Sequence, residues 1–466
     1  VKVESTGAGQ VDAAEPADPA AVTDSRPEYP SVGAANYGVV LLFLAYVLSF
    51  LDRNILSLLV GPIREQFGIT DFQYSLLAGA AFALVYSFAS FPLGLLADRY
   101  SRKLIVAASV AFWSLATAAG GLANSVTQLF ASRMAVGAGE AGLAPPAYSI
   151  ITDSFRPAHF GYAMSFYKTG VRVGGGLSLV IGGLLIDYYT RIGPIDVPVI
   201  GTLQPWQATL VTVGLPGVLL AFLLLTMVEP KRKEMAVSRS GRERLPVREF
   251  VRFIWERKRC YLPLFIGSSM LAMAGYGSSA WYPEFLVRNY GLTRGEAGTS
   301  YGTISIITGV VGIMVAPWIA NRLAARGYRD AYVRTLLATT LIATPPSVLA
   351  PLLGSATLTL LVLIPGMIFS GAYLGVMAAA FQPITPNQMR GQATAFYIFL
   401  TSFIGMAFGT STLAAFTDFL FQDDGKVHYS LATMQAIFKP AGALLFWYCL
   451  SAYRKAMEEA GKWEVD

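Results

Sequence analysis

The chain has 466 residues, of which 54% are apolar and 14% charged, and its mean hydropathy is +0.51. Soluble domains carry about 25% charged residues, so this composition excludes a surface built for water. The net charge of +6 sits in a few short loops with no aromatic-interleaved basic patch, which argues against a nucleic-acid partner, and two cysteines (Cys260, Cys449) with two histidines exclude a disulfide framework or a zinc site.

Residues 1–35 are rich in Ala, Pro and acids, including Glu4, Asp12, Glu15, Asp18, Asp24 and Glu28. They lack hydrophobic periodicity and any apolar run preceded by positive charge, so they read as a disordered tail without a cleavable signal peptide. Twelve apolar spans follow, at about 37–60, 73–97, 103–123, 127–151, 162–187, 206–228, 261–286, 298–320, 333–352, 356–382, 392–418 and 431–453. The first is interrupted by Phe50-Leu51-Asp52-Arg53-Asn54. An ionisable residue inside a spanning helix costs at least ~2.5–3.5 kcal/mol, so two adjacent ones of opposite sign point to a function. Neighbouring helical positions diverge by about 100°, so Asp52 and Arg53 cannot pair well with each other, and a functional site facing the bundle interior is expected over a structural charge.

The loops after even-numbered spans carry Arg99, Arg102 and Lys103, then Arg156, then Arg322, Arg326 and Arg329, then Arg390. The central connection 229–259 holds eleven Lys or Arg against five acids, whereas Ala118–Ser125 and Gly354–Thr357 hold none. The positive-inside rule then predicts both termini and the central connection in the cytoplasm, in the inner (plasma) membrane. Within the connection, residues 247–255 form an amphipathic pattern suited to the membrane surface.

The two halves resemble each other. Phe67-Gly68-Ile69-Thr70 returns 223 residues later as Tyr290-Gly291-Leu292-Thr293, and the same offset carries Ala97-Asp98-Arg99 onto Ala320-Asn321-Arg322. Gly161-Tyr162-Ala163-Met164-Ser165-Phe166 likewise resembles Gly391-Gln392-Ala393-Thr394-Ala395-Phe396. Three matches in order predict duplicated six-span bundles with a substrate site between them at mid-membrane. The expected organisation is a tail (1–35), a first bundle (36–228), a cytoplasmic linker with an amphipathic helix (229–259), a second bundle (260–455) and a cytoplasmic tail (456–466).

Gly94-Leu95-Leu96-Ala97-Asp98-Arg99-Tyr100-Ser101-Arg102-Lys103 resembles the loop signature of the major facilitator superfamily, with Ser101 where the family usually has Gly. The resemblance implies an all-α protein of twelve transmembrane helices in two pseudo-symmetric six-helix bundles. It also implies a conformational latch of Gly94, Asp98, Arg99 and Arg102, in which Asp98 meets the N-terminal end of a helix from the other half. Within that superfamily the chain is most similar to bacterial spinster-like transporters of lysolipids and sphingosine phosphate. That likeness rests on Leu51-Asp52-Arg53-Asn54, on Ser132-Arg133 through Gly139-Glu140-Ala141, and on Ser165-Phe166-Tyr167 leading to Gly174-Gly175-Gly176. It implies that Asp52, Arg53, Arg133 and Glu140 line the cavity and couple transport to protons. Arg172 stands where the family tends to have Pro and adds a charge.

On the residues themselves, Arg133 and Glu140 are two turns apart on one helix face, with Ala135, Gly137, Ala138 and Gly139 leaving room between them. Lys168 lies near the cytoplasmic start of its span, where its side chain can snorkel; Arg172 is a turn deeper. Gly137-Ala138-Gly139-Glu140-Ala141-Gly142 matches GxGxxG but follows no strand, so its glycines serve helix packing. The second half reads as nearly free of ionisable residues away from its span ends, offering hydroxyls and aromatics such as Tyr276 and Tyr373.

The expected function is proton-coupled transport of a lysophospholipid-like or sphingosine-phosphate-like amphiphile by alternating access. Arg53, Arg133 and Arg172 would hold its head, Tyr276 and Tyr373 would contact it, and Asp52 and Glu140 would carry or gate the proton. Alternatives are a proton-coupled carrier of small organic anions of the sugar-acid type, or a non-transporting sensor with the same fold. Protons and membrane lipids are the other expected partners. No enzymatic chemistry, cofactor or metal is expected, and the protein is expected to be monomeric.

Overall fold

The computed structural model describes residues 29–198, 201–232 and 246–460. Most of the expected N-terminal tail, part of the linker and the last residues lie outside them. The first half is built in chain order. α1 (Val32–Asn54), a tight turn at Ile55–Leu58 and α2 (Val60–Phe67) make the first span. α3 (Asp71–Ser75), a wide turn at Leu76–Ala80 and α4 (Ala81–Arg99) make the second, and α5 (Arg102–Gly120) the third. The fourth is divided into α6 (Val126–Glu140) and α7 (Ala144–Ser154), the fifth is α8 (Pro157–Ile192), and α9 (Pro205–Leu225) follows a hairpin. That hairpin, β1 (Ile195–Val197) against β2 (Gly201–Leu203), pairs Asp196 with Thr202 and is a small departure from an all-helical chain.

The second half repeats the plan after α10 (Val247–Glu256). Its spans are α11 (Lys258–Tyr290), α12 (Arg294–Ala325), α13 (Ala331–Leu349), and α14 (Ala356–Ser370) continued by α15 (Ala372–Phe381). Then α16 (Arg390–Phe403), a wide turn at Ile404–Phe408, α17 (Gly409–Ala415) and another wide turn at Phe416–Phe421 form the eleventh. The twelfth is α18 (Val427–Ala460). Ten of these segments are helices long and apolar enough to cross a membrane. The fourth is interrupted, and the twelfth carries Lys439 inside its apolar stretch. α1 begins at Val32, inside the stretch read as tail, and α10 coincides with the expected amphipathic segment, burying Phe250, Phe253 and Ile254 against the second half while Trp255 stays exposed.

The repeat seen in the sequence has a local cause. Gly68 and Gly291 both end a helix with φ near +65° (63° and 67°), a conformation that favours glycine. Thr70 and Thr293 then open the next helix with a capping box, closed by Gln73 and Glu296 respectively.

Three buried apolar clusters organise the interior. One lies in the second half, and one lies mainly in the first, joined there by Met406 and Ala407 of the second. The third joins both halves, with Leu56, Ile63, Tyr74 and Trp206 from the first and Trp281, Phe285, Tyr301 and Leu413 from the second. Close approach of α8 and α12 supports this seam. A Cβ at Gly302 would lie 2.7 Å from the Gly176 carbonyl oxygen, so only glycine permits the crossing.

Candidate transport site

Two helix breaks create the charged centre. Pro62 has no N–H for the Leu58 carbonyl, which instead accepts from Arg294 Nε of the second half at 3.0 Å. In the loosened turn the Leu51 carbonyl accepts from Ser178 Oγ (2.7 Å) and the Leu56 carbonyl from Tyr74 OH (2.5 Å). The second break follows Glu140. Pro145 and Pro146 begin α7 and cannot bond the carbonyls one turn back, so α6 stops at Glu140. Helical breaks at membrane depth are tolerated where they face protein or a cavity.

These breaks bring together the four charges that the sequence singled out. Asp52, Arg133 and Glu140 are each about 2% exposed. Glu140 Oε2 accepts from Ser49 Oγ at 2.6 Å, from Arg53 Nε at 3.2 Å, and from Arg53 Nη2. The guanidinium of Arg53 also lies 4.6, 4.5 and 5.1 Å from the ring centres of Phe50, Phe82 and Tyr86. Glu140 is therefore held by Arg53 from α1, and its helix-mate Arg133 does not bond it. Arg133 instead donates from Nη1 to the Asp52 carbonyl at 3.4 Å and lies in the field of the Asp52 carboxylate. Arg133 Nε and Nη2, Asp52 Oδ1 and Glu140 Oε1 are buried without a hydrogen bond of good geometry among the described residues. Such groups are rare in folded proteins, and an ordered water, an ion or a functional role usually accounts for them.

The second cavity wall corrects the reading of the other half. A cavity with about 270 Å³ of water-sized space is lined by Phe50, Asn54 and Arg172 from the first half and by Tyr276, Tyr301, Ser305, Thr308, Tyr373, Gln435 and Lys439 from the second. Tyr276, Tyr373 and Arg172, expected at the substrate, all line it. Lys439 was not anticipated. The second half is not free of intramembrane charge: Lys439 is 4% exposed and donates to Ser347 Oγ (2.5 Å) and Ser370 Oγ (2.8 Å). Its signal lay in the sequence, as a lysine near the middle of the span at 431–453, but it stands beside Pro440 in no recognised motif.

A separate groove with about 530 Å³ of open volume lies on the seam between α3–α4 and the eleventh span. Phe72, Leu84, Phe130, Met134, Phe403 and Phe408 line it. The wide turns at Leu76–Ala80 and Ile404–Phe408 both contribute to its wall; such turns cluster at functional sites.

The ends of the molecule differ. At one, Asp71 takes Arg288 from the second half through two bonds (2.7 and 2.8 Å) and Arg64 at 2.9 Å, while Arg64 also reaches Asp424 at 2.9 Å. Arg288 Nε donates to Glu284 at 2.8 Å, and the Phe72 N–H donates to Asp418 at 2.7 Å. This cross-half lattice was not foreseen, because its partners lie more than two hundred residues apart and none stands in a motif. At the other end, Asp98 and Arg99 are exposed. Arg102 is buried and binds Asp153, Ser149, Glu229 and the Pro230 carbonyl, all within the first half, and Arg232 covers the Ala97, Asp98 and Tyr100 carbonyls. At Gly94, the first of the expected latch residues, a Cβ would meet only Pro145, at 4.0 Å, so no close helix approach requires glycine there in this conformation.

Comparison with known proteins agrees with this architecture. The chain is 28% identical over 428 residues to an MFS-type efflux pump of Mycolicibacterium smegmatis, spanning 91% of this chain and 94% of that protein. It is 29% identical to spinster homolog 1 of Xenopus laevis over 61% of this chain and 54% of that one, and 22% identical to a D-galactonate transporter of Escherichia coli over 64% and 69%. The crystal structure of a bacterial homologue of the human lysosomal transporter spinster, inward-facing and unoccupied, superimposes with a TM-score of 0.74 at 25% identity, covering 93% of this chain and 99% of that one. The family model of the Major Facilitator Superfamily matches residues 42–410. With its duplicated helical bundles and its charged centre between broken spans, the chain belongs to the Major Facilitator Superfamily and is a secondary transporter, not an enzyme.

Proposed function

We propose that this transporter couples proton movement to the transport of a lysolipid-like amphiphile. The observation that carries this reading is the division of its interior space. The protein has both a cavity lined by cations, hydroxyls and tyrosines and, lined by other residues, an almost wholly apolar groove on the seam between the halves. A molecule with a charged head and a single tail satisfies both, and spinster relatives are among the proteins it resembles. Proton coupling is supported by Glu140, whose ion pair with Arg53 breaks if the carboxylate is protonated. Asp52, opposite Arg133, is the second group placed to exchange or gate a proton.

With the Arg- and Lys-rich Asp98 end on the cytoplasmic side, the ion pairs around Asp71 close the outer side and the conformation is inward-facing. In the opposite conformation, Asp98 meets a helix terminus of the second half and acts with Gly94, Arg99 and Arg102 as the latch. A second reading, a carrier of small organic anions, is favoured by the hydroxyl-rich cavity wall (Ser278, Ser279, Ser305, Thr308) and by the galactonate-transporter relative. The two readings separate in one experiment. The purified protein in vesicles should accumulate lysophospholipid, and not D-galactonate, in a manner abolished when the pH gradient is collapsed. Gradient-driven uptake of galactonate alone would replace the first reading by the second.

A further inference from the structure

We propose that Lys439 and Arg172 together form the site for the substrate's anionic group, a phosphate or carboxylate, so that the anion is held across the two halves instead of by Arg53 and Arg133. This rests on the transporter reading, and it names the group that the cavity recognises.

Four observations carry it. First, Lys439 is buried at mid-span in α18 and has only two serine hydroxyls as partners. An ammonium has three N–H donors, so one remains for a ligand. Second, among the described residues the cavity that Lys439 lines has no aspartate or glutamate in its wall, and Arg172 is the other cation there. Two cations sharing a cavity inside the membrane region without a counter-charge are costly even among hydroxyls, and an anion entering the space relieves that cost. Third, the two cations reach neighbouring residues of the tenth span. Lys439 Nζ bonds Ser370, while a Cβ on the adjacent Gly371 would lie 3.6 Å from Arg172 Nη2. This is where the tenth span breaks between α14 and α15. Fourth, Arg172 is carried by the first half yet reaches the second. A Cβ at Gly309 of α12 would lie 2.9 Å from Arg172 Cδ, so that glycine leaves the channel in which the arginine lies. Arg172 Nε is buried with no hydrogen bond of its own among the described residues.

Arg53 is committed elsewhere, bonded to Glu140 and surrounded by three aromatic rings. Arg133 donates to the Asp52 carbonyl and lies in the field of both Glu140 and Asp52. An anion bound by Arg53 would have to displace Glu140, whereas one bound by Lys439 and Arg172 displaces no carboxylate. Because Arg172 and Lys439 belong to different halves, the bound anion also ties the halves together, which gives the substrate leverage over their rearrangement.

The test compares each anionic probe with its neutral analogue, by equilibrium binding to the full-length protein in lipid nanodiscs. The pairs are lysophosphatidate against monoacylglycerol of the same chain length, and D-galactonate against galactitol; inorganic phosphate serves as a competitor without a tail. At least one anion should bind about tenfold more tightly than its neutral partner. Lys439→Met and Arg172→Met should each shrink that ratio severalfold and together abolish it, without weakening the neutral analogue, and Lys439→Arg should retain most of it. Arg172→Met guards against misfolding of the Lys439 variant, since Arg172 is only half-buried. A charge preference that survives both methionine substitutions overturns the proposal while leaving the lipid reading standing. Lys439-dependent binding of galactonate without any lysophosphatidate binding does the reverse. If no anion binds better than its neutral analogue, the site is overturned.

Discussion

The two halves hold charge in opposite ways. In the first half, two acids and two bases are buried together, and each carboxylate has a guanidinium beside it: Arg53 for Glu140, Arg133 for Asp52. In the second half, Lys439 is buried with hydroxyl partners only, and its cavity is completed by Arg172 from across the seam. A balanced cluster can gain a proton and rearrange its pairs without leaving a large uncompensated charge behind. An unbalanced one is complete only with an anion in place. On the proposals above, the first half would handle the proton and the second the substrate's charge.

Glu140→Gln gives the largest expected effect. It keeps the shape of the side chain but removes the charge that Arg53 binds, so pH-gradient-driven accumulation should fall to background while substrate binding at the second-half cavity persists. Normal acid-driven accumulation by this variant would end the division of labour between the halves.

The comparison depends on the seam, and Arg288→Met should loosen it. Stripping a partner from a buried carboxylate costs ~3–5 kcal/mol, and less here because Arg64 still holds Asp71. Spin labels placed across the Asp71 end should show a new population at longer distances. An unchanged distribution would mean that apolar packing alone closes this end.

The apolar groove makes a graded prediction. Each added methylene that enters it should tighten lysolipid binding by ~0.8 kcal/mol, about fourfold, until the groove is filled. Affinity that is flat across a homologous series would remove the groove from the substrate path and leave the small-anion reading.

Asp98→Ala should be smaller in effect and one-sided. Asp98 is exposed in the present conformation, so its removal should leave this state intact. It should destabilise the opposite state, where a carboxylate at a helix N-terminus contributes ~0.3–1 kcal/mol. Labels across the Asp98 end should then report less of the closed form.

The smallest effect is expected at Glu229, on the loop beyond α9. Partial burial opposes its ionisation, but hydrogen bonds from Ser101 and from the backbone and side chain of Arg102 outweigh that and hold its carboxyl below the usual carboxylate range. A carboxylate with a lowered folded-state pKa contributes stability above its unfolded value of ~4.3 and loses it as pH falls toward the folded value. Acid melting of the wild type below about pH 4 should therefore have a component that Glu229→Gln lacks, and equal pH profiles would dismiss the contact.

How much of this was legible follows from the range of each interaction. Spans, duplication and the Asp98 loop are local patterns: apolar periodicity, a glycine at positive φ followed by a capping threonine, a charge run between helices. The candidates Asp52, Arg53, Arg133 and Glu140 stood out because a charge in an apolar run is conspicuous in one dimension. Lys439 is equally conspicuous by that rule, yet the second half was read as nearly uncharged, since its lysine stands in no motif. Which arginine binds Glu140 was not legible at all. It depends on breaks at Pro62 and Pro145 that set the ends of α1 and α6 against each other. The ion pairs joining Asp71 to Arg288, and the cavity that Arg172 and Lys439 both line, bring together residues more than two hundred positions apart. Sequence by itself determined that the chain crosses the membrane as two related bundles with charge inside, because burial and helix capping act between near neighbours. Only the tertiary structure decided which charges neutralise one another and which line a cavity, because electrostatic pairing depends on distance in space and not along the chain.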